Sequence, residues 1–174
     1  MEERLNRRHD PALPGSSLKT PSEGMDPVND ARHMYDVGYC SGAFDMFHVG
    51  QLNLLRRARN RCRHLVVGVA SDEYLESVKG RAPVVPCDER IDIISALGIV
   101  DEVVIDRSQD KLAIWQQRPF DVIFKDGDWQ GTPNGYHLER VMGSVGVDVV
   151  YFPHTDRPAS SMLRSYLLEG GAVE

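Results

Sequence analysis

This chain has no long apolar run, no surplus of positive charge, no cysteine framework and no internal repeat. No stretch of its 174 residues approaches the ~20 apolar residues that span a bilayer, so membrane insertion is not expected. Lys and Arg number 20 against 26 Asp and Glu, a formal net charge of −6, which argues against nucleic acid as the main partner. A local basic pocket for a small anion is compatible with that balance. The three cysteines, Cys40, Cys62 and Cys87, are odd in number and lack CxxC spacing. They read as reduced packing residues rather than as a disulfide frame or a zinc site. Charges begin at Glu2 and no apolar signal segment follows, so the expected compartment is the cytoplasm.

With 41% hydrophobic and 26% charged residues, the chain has the composition of one soluble domain with a sizeable core. Residues 1–33 are polar, hold four of the ten prolines and show no periodicity, and read as a disordered tail. The folded domain is expected over 34–174. Within it strand and helix patterns alternate. Residues 35–40 form a short β-type run. Gln51, Leu54, Leu55, Ala58 and Cys62 then fall on one helical face, with Arg56, Arg59 and Arg63 opposite as a solvated face. Residues 64–70 (HLVVGVA), 100–105, 120–125 and 147–152 are further apolar strands. Helices are expected over 71–78, 87–97, 110–118, 133–145 and 160–169.

Five strands separated by helices predict an α/β fold with a doubly wound, Rossmann-like five-stranded parallel sheet. In such sheets ligands collect beyond the carboxyl ends of the strands, where strand order reverses. The polar clusters at 41–51, 79–83, 126–129 and 153–161 all border those ends. Residues 41–51 run from a strand through a glycine turn into a helix, an arrangement that points backbone N–H groups and the positive helix end at one place. Phosphate is the obvious ligand.

The stretch GAFDMFHVGQ (42–51) resembles the nucleotidyltransferase signature GxFDxxHxGH of the cytidylyltransferases and their relatives. The order LLRRA, VVGVASDE, a basic loop, ER, VDEVV and GDW is similar to that of bacterial glycerol-3-phosphate cytidylyltransferases, over about 39–167. The resemblance implies a nucleotidyltransferase-type fold. It also implies a reaction in which an acceptor phosphate oxygen attacks the α-phosphate of CTP and pyrophosphate leaves. Its partners would be CTP and a small phosphorylated alcohol, Mg²⁺ would arrive with the CTP and not at a resident metal site, and the chain would pair as a homodimer.

Carried over residue by residue, the resemblance makes His48, Gln51 and Lys79 the catalytic set. His48 would donate to phosphate oxygens as charge builds there. It places Gly42, Ala43, Phe44, Asp45, Arg90, Asp126, Asp128, Ser160 and Ser161 at the nucleotide, and Arg157 toward the acceptor. Two positions depart from the family pattern. Gln51 stands where a second histidine is usual; its amide donates but carries no charge. Residues 155–162 match RTEGISTT only at the two serines. A neutral donor at position 51 suffices if the replaced imidazole acts neutral; if it acts as a cation, the loss is ~1.5–4 kcal/mol of transition-state stabilisation. Two other readings follow from the same residues. Lys125-Asp126-Gly127-Asp128 is similar to the KGGD strand end of adenylyltransferases that activate sugar phosphates, and Gln51 fits a nucleotide-binding protein with impaired turnover.

Overall fold

The computed structural model describes residues 35–153. The expected tail, the last helix, and Arg157, Ser160 and Ser161 lie outside the described residues.

Five strands and five α-helices run along the described chain, besides a short 3-10 turn at Gly127–Trp129. They are β1 (Tyr35–Gly42), α1 (Val49–Arg59), β2 (Cys62–Ala70), α2 (Asp72–Lys79), α3 (Cys87–Ser95), β3 (Glu102–Asp106), α4 (Lys111–Gln117), β4 (Val122–Asp126), α5 (Pro133–Gly143) and β5 (Asp148–Phe152). All strand pairs are parallel, and the order across the sheet is β3-β2-β1-β4-β5. The chain works outward from β1 to one edge and then returns to build the other. The reversal therefore falls between β1 and β4, where the doubly wound pattern places its ligand.

Period-two alternation in the central strands feeds two cores. Cys40, Leu65, Val67, Val69, Val122 and Phe124 pack with Leu55, Ala58 and Ile94 from α1 and α3. Tyr39, Val66 and Ile123 pack with Leu138 and Met142 from α5, and Tyr39 stacks on Phe120 at 4.7 Å between centroids. The cysteines are free thiols, with Cys40 and Cys62 buried and pushed up in pKa first by that burial.

Local chemistry sets the element ends. β1 runs two residues beyond the expected end at 40, because Ser41 and Gly42 stay in register with Gly68 and Val69 of β2. Ser71 Oγ accepts from Tyr74 N at 3.2 Å to start α2, and Gly80 at φ 67° ends it. Asp110 accepts from the N–H groups of Leu112 and Ala113 at the start of α4. Of the arginines expected on a solvated face, Arg56 and Arg63 are exposed, Arg59 is half-buried, and Arg63, like Cys62, belongs to β2 and not to α1. Arg59 donates to the Asp101 carboxylate, which itself accepts from Leu65 N at 2.7 Å, and Arg63 lies 3.2 Å from Asp36.

Gly68 marks the tightest point of the sheet. A Cβ there would lie 1.9 Å from the Tyr39 hydroxyl, which reaches across β2 to within 3.4 Å of Asp106 Oδ2. Tyr39 is wholly buried and cannot retreat without opening its core. Gly68→Ala is therefore expected to destabilise the fold by about 1–3 kcal/mol through overpacking. Thermal melting would show this as a drop of roughly 3–10 °C, and an unchanged melting temperature would contradict it.

Candidate active site

The link from β1 to α1 is held by a brace of two buried charged residues. Phe44 and Met46 both take φ 51°, a left-handed conformation that a side chain tolerates only when its surroundings enforce it. Phe44 sends its ring into the core. The Asp45 carboxylate, 5% exposed, accepts from Val84 N at 3.0 and 3.1 Å and from Val85 N at 3.0 Å. Arg90, wholly buried, donates from Nε to Val85 O at 2.8 Å, from Nη1 to Ala43 O, and from Nη2 to Asp72 Oδ1 at 2.5 Å. Asp72 Oδ2 in turn accepts from Cys87 N at 3.1 Å. Turn 43–45, loop 84–85 and the starts of α2 and α3 are thus tied together by charge-assisted hydrogen bonds.

That brace corrects the expectation for Arg90. Its guanidinium has no surface to offer a triphosphate, because its donors are directed onto protein oxygens. The Asp45 carboxylate and the Phe44 ring are likewise turned into the protein, so these two residues can meet a ligand only through their backbone.

His48 is the N-cap of α1. Its Nδ1 accepts from Gly50 N at 3.1 Å, and Gln51 Oε1 accepts from His48 N at 3.3 Å, closing a reciprocal capping box. Gly50 makes the fold-back feasible, since a Cβ there would sit 2.9 Å from His48 Cε1. An Nδ1 that accepts a hydrogen bond leaves the proton of the neutral ring on Nε2, so the imidazole presents an Nε2–H donor. Gln51, read from sequence as a donor in a lost histidine's place, uses its side-chain oxygen to hold the histidine that remains.

A cavity of about 830 Å³ opens beyond the carboxyl ends of β1 and β4. Ser41, Gly42, Ala43, Lys79, Asp126 and Asp128 border it, with an apolar wall that includes Leu75, Val78, Leu112, Leu138 and Val141. The structure thus brings together five of the expected residues: Gly42, Ala43, Lys79, Asp126 and Asp128. His48 and Gln51 stand outside the wall, although the Asp126 carboxylate is near enough to His48 to influence its ionisation. Lys79, at the C-terminus of α2, is exposed at the mouth.

Two further lysines border the cavity, and sequence reading did not assign them to it. Lys111 Nζ donates to Asp106 Oδ2 at 2.5 Å and to Ser108 O at 2.9 Å, so its charge is matched. Lys125, 6% exposed, donates to Ser41 Oγ at 2.9 Å and lies 4.5 Å from the centre of the Trp129 ring. Burial above all, and then the charge of Lys111, brings its pKa down to about 8. The available signal was positional: Lys125 is the one basic residue in an apolar strand and stands near its carboxyl end.

Among the described residues no group of three or more His, Cys, Asp or Glu side chains is placed to hold a metal ion. Asp126 and Asp128 are two carboxylates at the cavity rim, and Asp126 Oδ1 accepts from Gly127 N at 3.0 Å. This pair fits a Mg²⁺ ion that keeps most of its waters and its phosphate ligands.

Comparison with known proteins is consistent with this geometry. Residues 39–167 match the family model described as Cytidylyltransferase-like. The bifunctional protein HldE of Mesorhizobium japonicum is 35% identical over 115 residues, covering 66% of this chain and 21% of that protein. The ethanolamine-phosphate cytidylyltransferase of Arabidopsis thaliana is 48% identical over 68 residues, covering 39% of this chain and 16% of that protein. The chain thus spans about a fifth of the length of the curated relatives it matches. Among solved structures, a lipopolysaccharide core biosynthesis protein from Thermoplasma volcanium aligns with TM-score 0.59 at 21% identity, covering 71% of this chain and 99% of that one. A pantoate-beta-alanine ligase from Francisella tularensis aligns with TM-score 0.56 at 12% identity, covering 75% and 65%. These two structures share the fold.

Burial lowers the His48 pKa from its ordinary 6.5, with Asp126 acting weakly the other way. Because the folded pKa lies below the unfolded one, the cap contributes fully above pH 6.5 and is lost as pH falls through the folded midpoint. Nitrogen NMR of the imidazole should find the Nε2–H tautomer at pH 7.5 and a midpoint below 6.5. An Nδ1–H tautomer, or a midpoint above 6.5, would contradict the assignment.

Proposed function

The chain belongs to the cytidylyltransferase-like family, and from that premise we propose that it transfers CMP from CTP to a small phosphorylated alcohol, glycerol 3-phosphate or a close relative. The products are a CDP-alcohol and pyrophosphate. The observation that supports this most is the capped His48 at the start of α1, whose Nδ1 is taken up by the helix so that a neutral ring keeps an Nε2–H donor at a helix N-terminus.

An acceptor phosphate oxygen forms a bond to the α-phosphorus, the bond from that phosphorus to the bridging oxygen breaks, and pyrophosphate leaves with the electron pair. No covalent enzyme intermediate is needed, so the protein's work is positioning and charge stabilisation. His48 Nε2–H donates to an α-phosphate or bridging oxygen as negative charge builds. The Gly42–Ala43 backbone approaches the phosphates, and Lys79 at the mouth meets the departing pyrophosphate. Asp126 and Asp128 are the carboxylates that would hold a Mg²⁺ ion arriving with the triphosphate, and that ion would supply charge shielding. A homodimer and a cytoplasmic setting belong to the same reading.

The capping box favours an active enzyme over a spent one. Gln51 is built into the support of His48, and a donor that works as a neutral imidazole needs no second cation beside it. An ATP-dependent reaction on a sugar phosphate is the second reading, favoured by the Lys125-Asp126-Gly127-Asp128 strand end.

The test is pyrophosphate release with CTP or ATP against a panel of alcohol and sugar phosphates. CTP with an alcohol phosphate should support turnover, and His48→Ala should lower it about 10²–10³-fold, as removal of one preorganised donor does. Gln51→His should change turnover by less than about tenfold, since the position supports His48 without carrying charge. No release with any nucleotide would overturn the proposal, a clear ATP preference would select the second reading, and a gain of orders of magnitude in Gln51→His would mark the natural chain as impaired.

A further inference from the structure

Among the described residues the cavity wall contains one buried cation without a carboxylate partner. Lys111 is matched by Asp106, which also accepts from the Tyr39 hydroxyl at 3.4 Å and from Ser108 N at 3.5 Å. Lys125 has a single hydrogen bond among the described residues, to Ser41 Oγ, and the Trp129 ring covers one side of its ammonium group. An ammonium group has three N–H donors. Two of them therefore have no protein acceptor among the described residues, on a side chain 94% buried that borders the cavity. A buried charge is stable only when its hydrogen bonds are filled, and here oxygen atoms from a bound anion can fill them.

We propose that Lys125 binds the phosphate group of the acceptor substrate and holds it for attack. This rests on the reading that the chain passes a nucleotidyl group to a phosphorylated alcohol. In-line displacement places the attacking and leaving oxygens on opposite sides of the α-phosphorus. Lys79 is exposed at the mouth, where pyrophosphate escapes to water. Lys125 lies inside, at the carboxyl end of β4 next to β1, so it serves the opposite partner. Lys125 keeps its proton throughout; the bond that forms joins the acceptor oxygen to the α-phosphorus and the bond that breaks releases pyrophosphate. The remainder of the acceptor runs toward the Asp106–Lys111 pair and Leu112.

Other charged groups act on Lys125. Lys111 opposes its protonation, whereas Asp106, Asp128 at the rim and, if ionised, the Cys40 thiol favour it; burial and Lys111 prevail and bring its pKa to about 8. Its charge is therefore lost between neutral and moderately alkaline pH. Over that range a phosphate monoester gains charge, if anything, because its second pKa is ~6. Binding that weakens with rising pH is thus the mark of the lysine and not of the ligand.

Calorimetry of the full chain tests the proposal without turnover, with glycerol 3-phosphate, inorganic phosphate and CTP each titrated separately. Glycerol 3-phosphate and inorganic phosphate should bind at pH 7 and weaken about tenfold or more by pH 9.5. Lys125→Met, which keeps the side-chain length, should weaken both by about tenfold to a hundredfold while CTP affinity moves by less than about threefold. Circular dichroism confirms that the variant is folded, and the pH series on the natural protein gives an answer that needs no variant. The proposal is overturned if the natural protein binds neither phosphate compound, if its binding is flat with pH, or if Lys125→Met leaves phosphate binding intact or weakens CTP equally. Lys125-dependent binding without pyrophosphate release would instead count against the proposed reaction and leave this subsite standing.

Discussion

The buried guanidinium of Arg90 is the interaction on which the rest of the site depends. Three parts of the chain distant in sequence, the turn at Ala43, the loop at Val85 and the first turn of α2 at Asp72, converge on its donors. Asp45 holds the same loop from the opposite direction through two backbone N–H groups. The brace fixes the turn in which Phe44 and Met46 take left-handed conformations, and with it the course of the chain to His48. Burying a charge is costly, and it is tolerated here because the guanidinium meets two carbonyls and a carboxylate.

From that fixed turn the chemistry follows in short steps. The chain arrives at α1 with His48 as cap, Gly50 leaves room for the ring to fold back, and Gln51 completes the box. The ring is thereby kept neutral with one nitrogen committed to the helix. Among the described residues the unmatched buried positive charge of the cavity wall comes from Lys125, since Lys111 is neutralised by Asp106. A chain with a formal net charge of −6 can therefore still offer an anion a local positive site.

The fold was legible because its signals are local. Apolar strand runs and the helical spacing of Gln51, Leu54, Leu55 and Ala58 fall where the structure has them, all five strands were placed to within about two residues, and Cys62 and Arg63, assigned by spacing to the first helix, belong instead to β2. The position of the ligand cavity followed from the doubly wound order. What the sequence could not convey was the direction of individual side chains. Arg90 and Asp45 occupy positions that invite a phosphate or a nucleotide, yet both turn inward, a choice set by loop 84–85 forty residues from the turn. Gln51 read as a missing histidine, because nothing in a linear pattern says that its oxygen returns to the His48 backbone. Lys125 read as the end of a strand, since its isolation emerges only when Lys111 is seen to be paired with Asp106.

The central claim is that His48 acts as a neutral Nε2–H donor to the α-phosphate while its Nδ1 remains bound to the α1 cap. A crystal structure with CTP and a non-reacting acceptor analogue tests it most directly. The account predicts Nε2 at about 2.7–3.2 Å from an α-phosphate or bridging oxygen, with the Gly50 N–H still on Nδ1 and the Gln51 oxygen still on the His48 backbone. An imidazole turned away from the phosphates, or one that has left the cap to meet them through Nδ1, would contradict it.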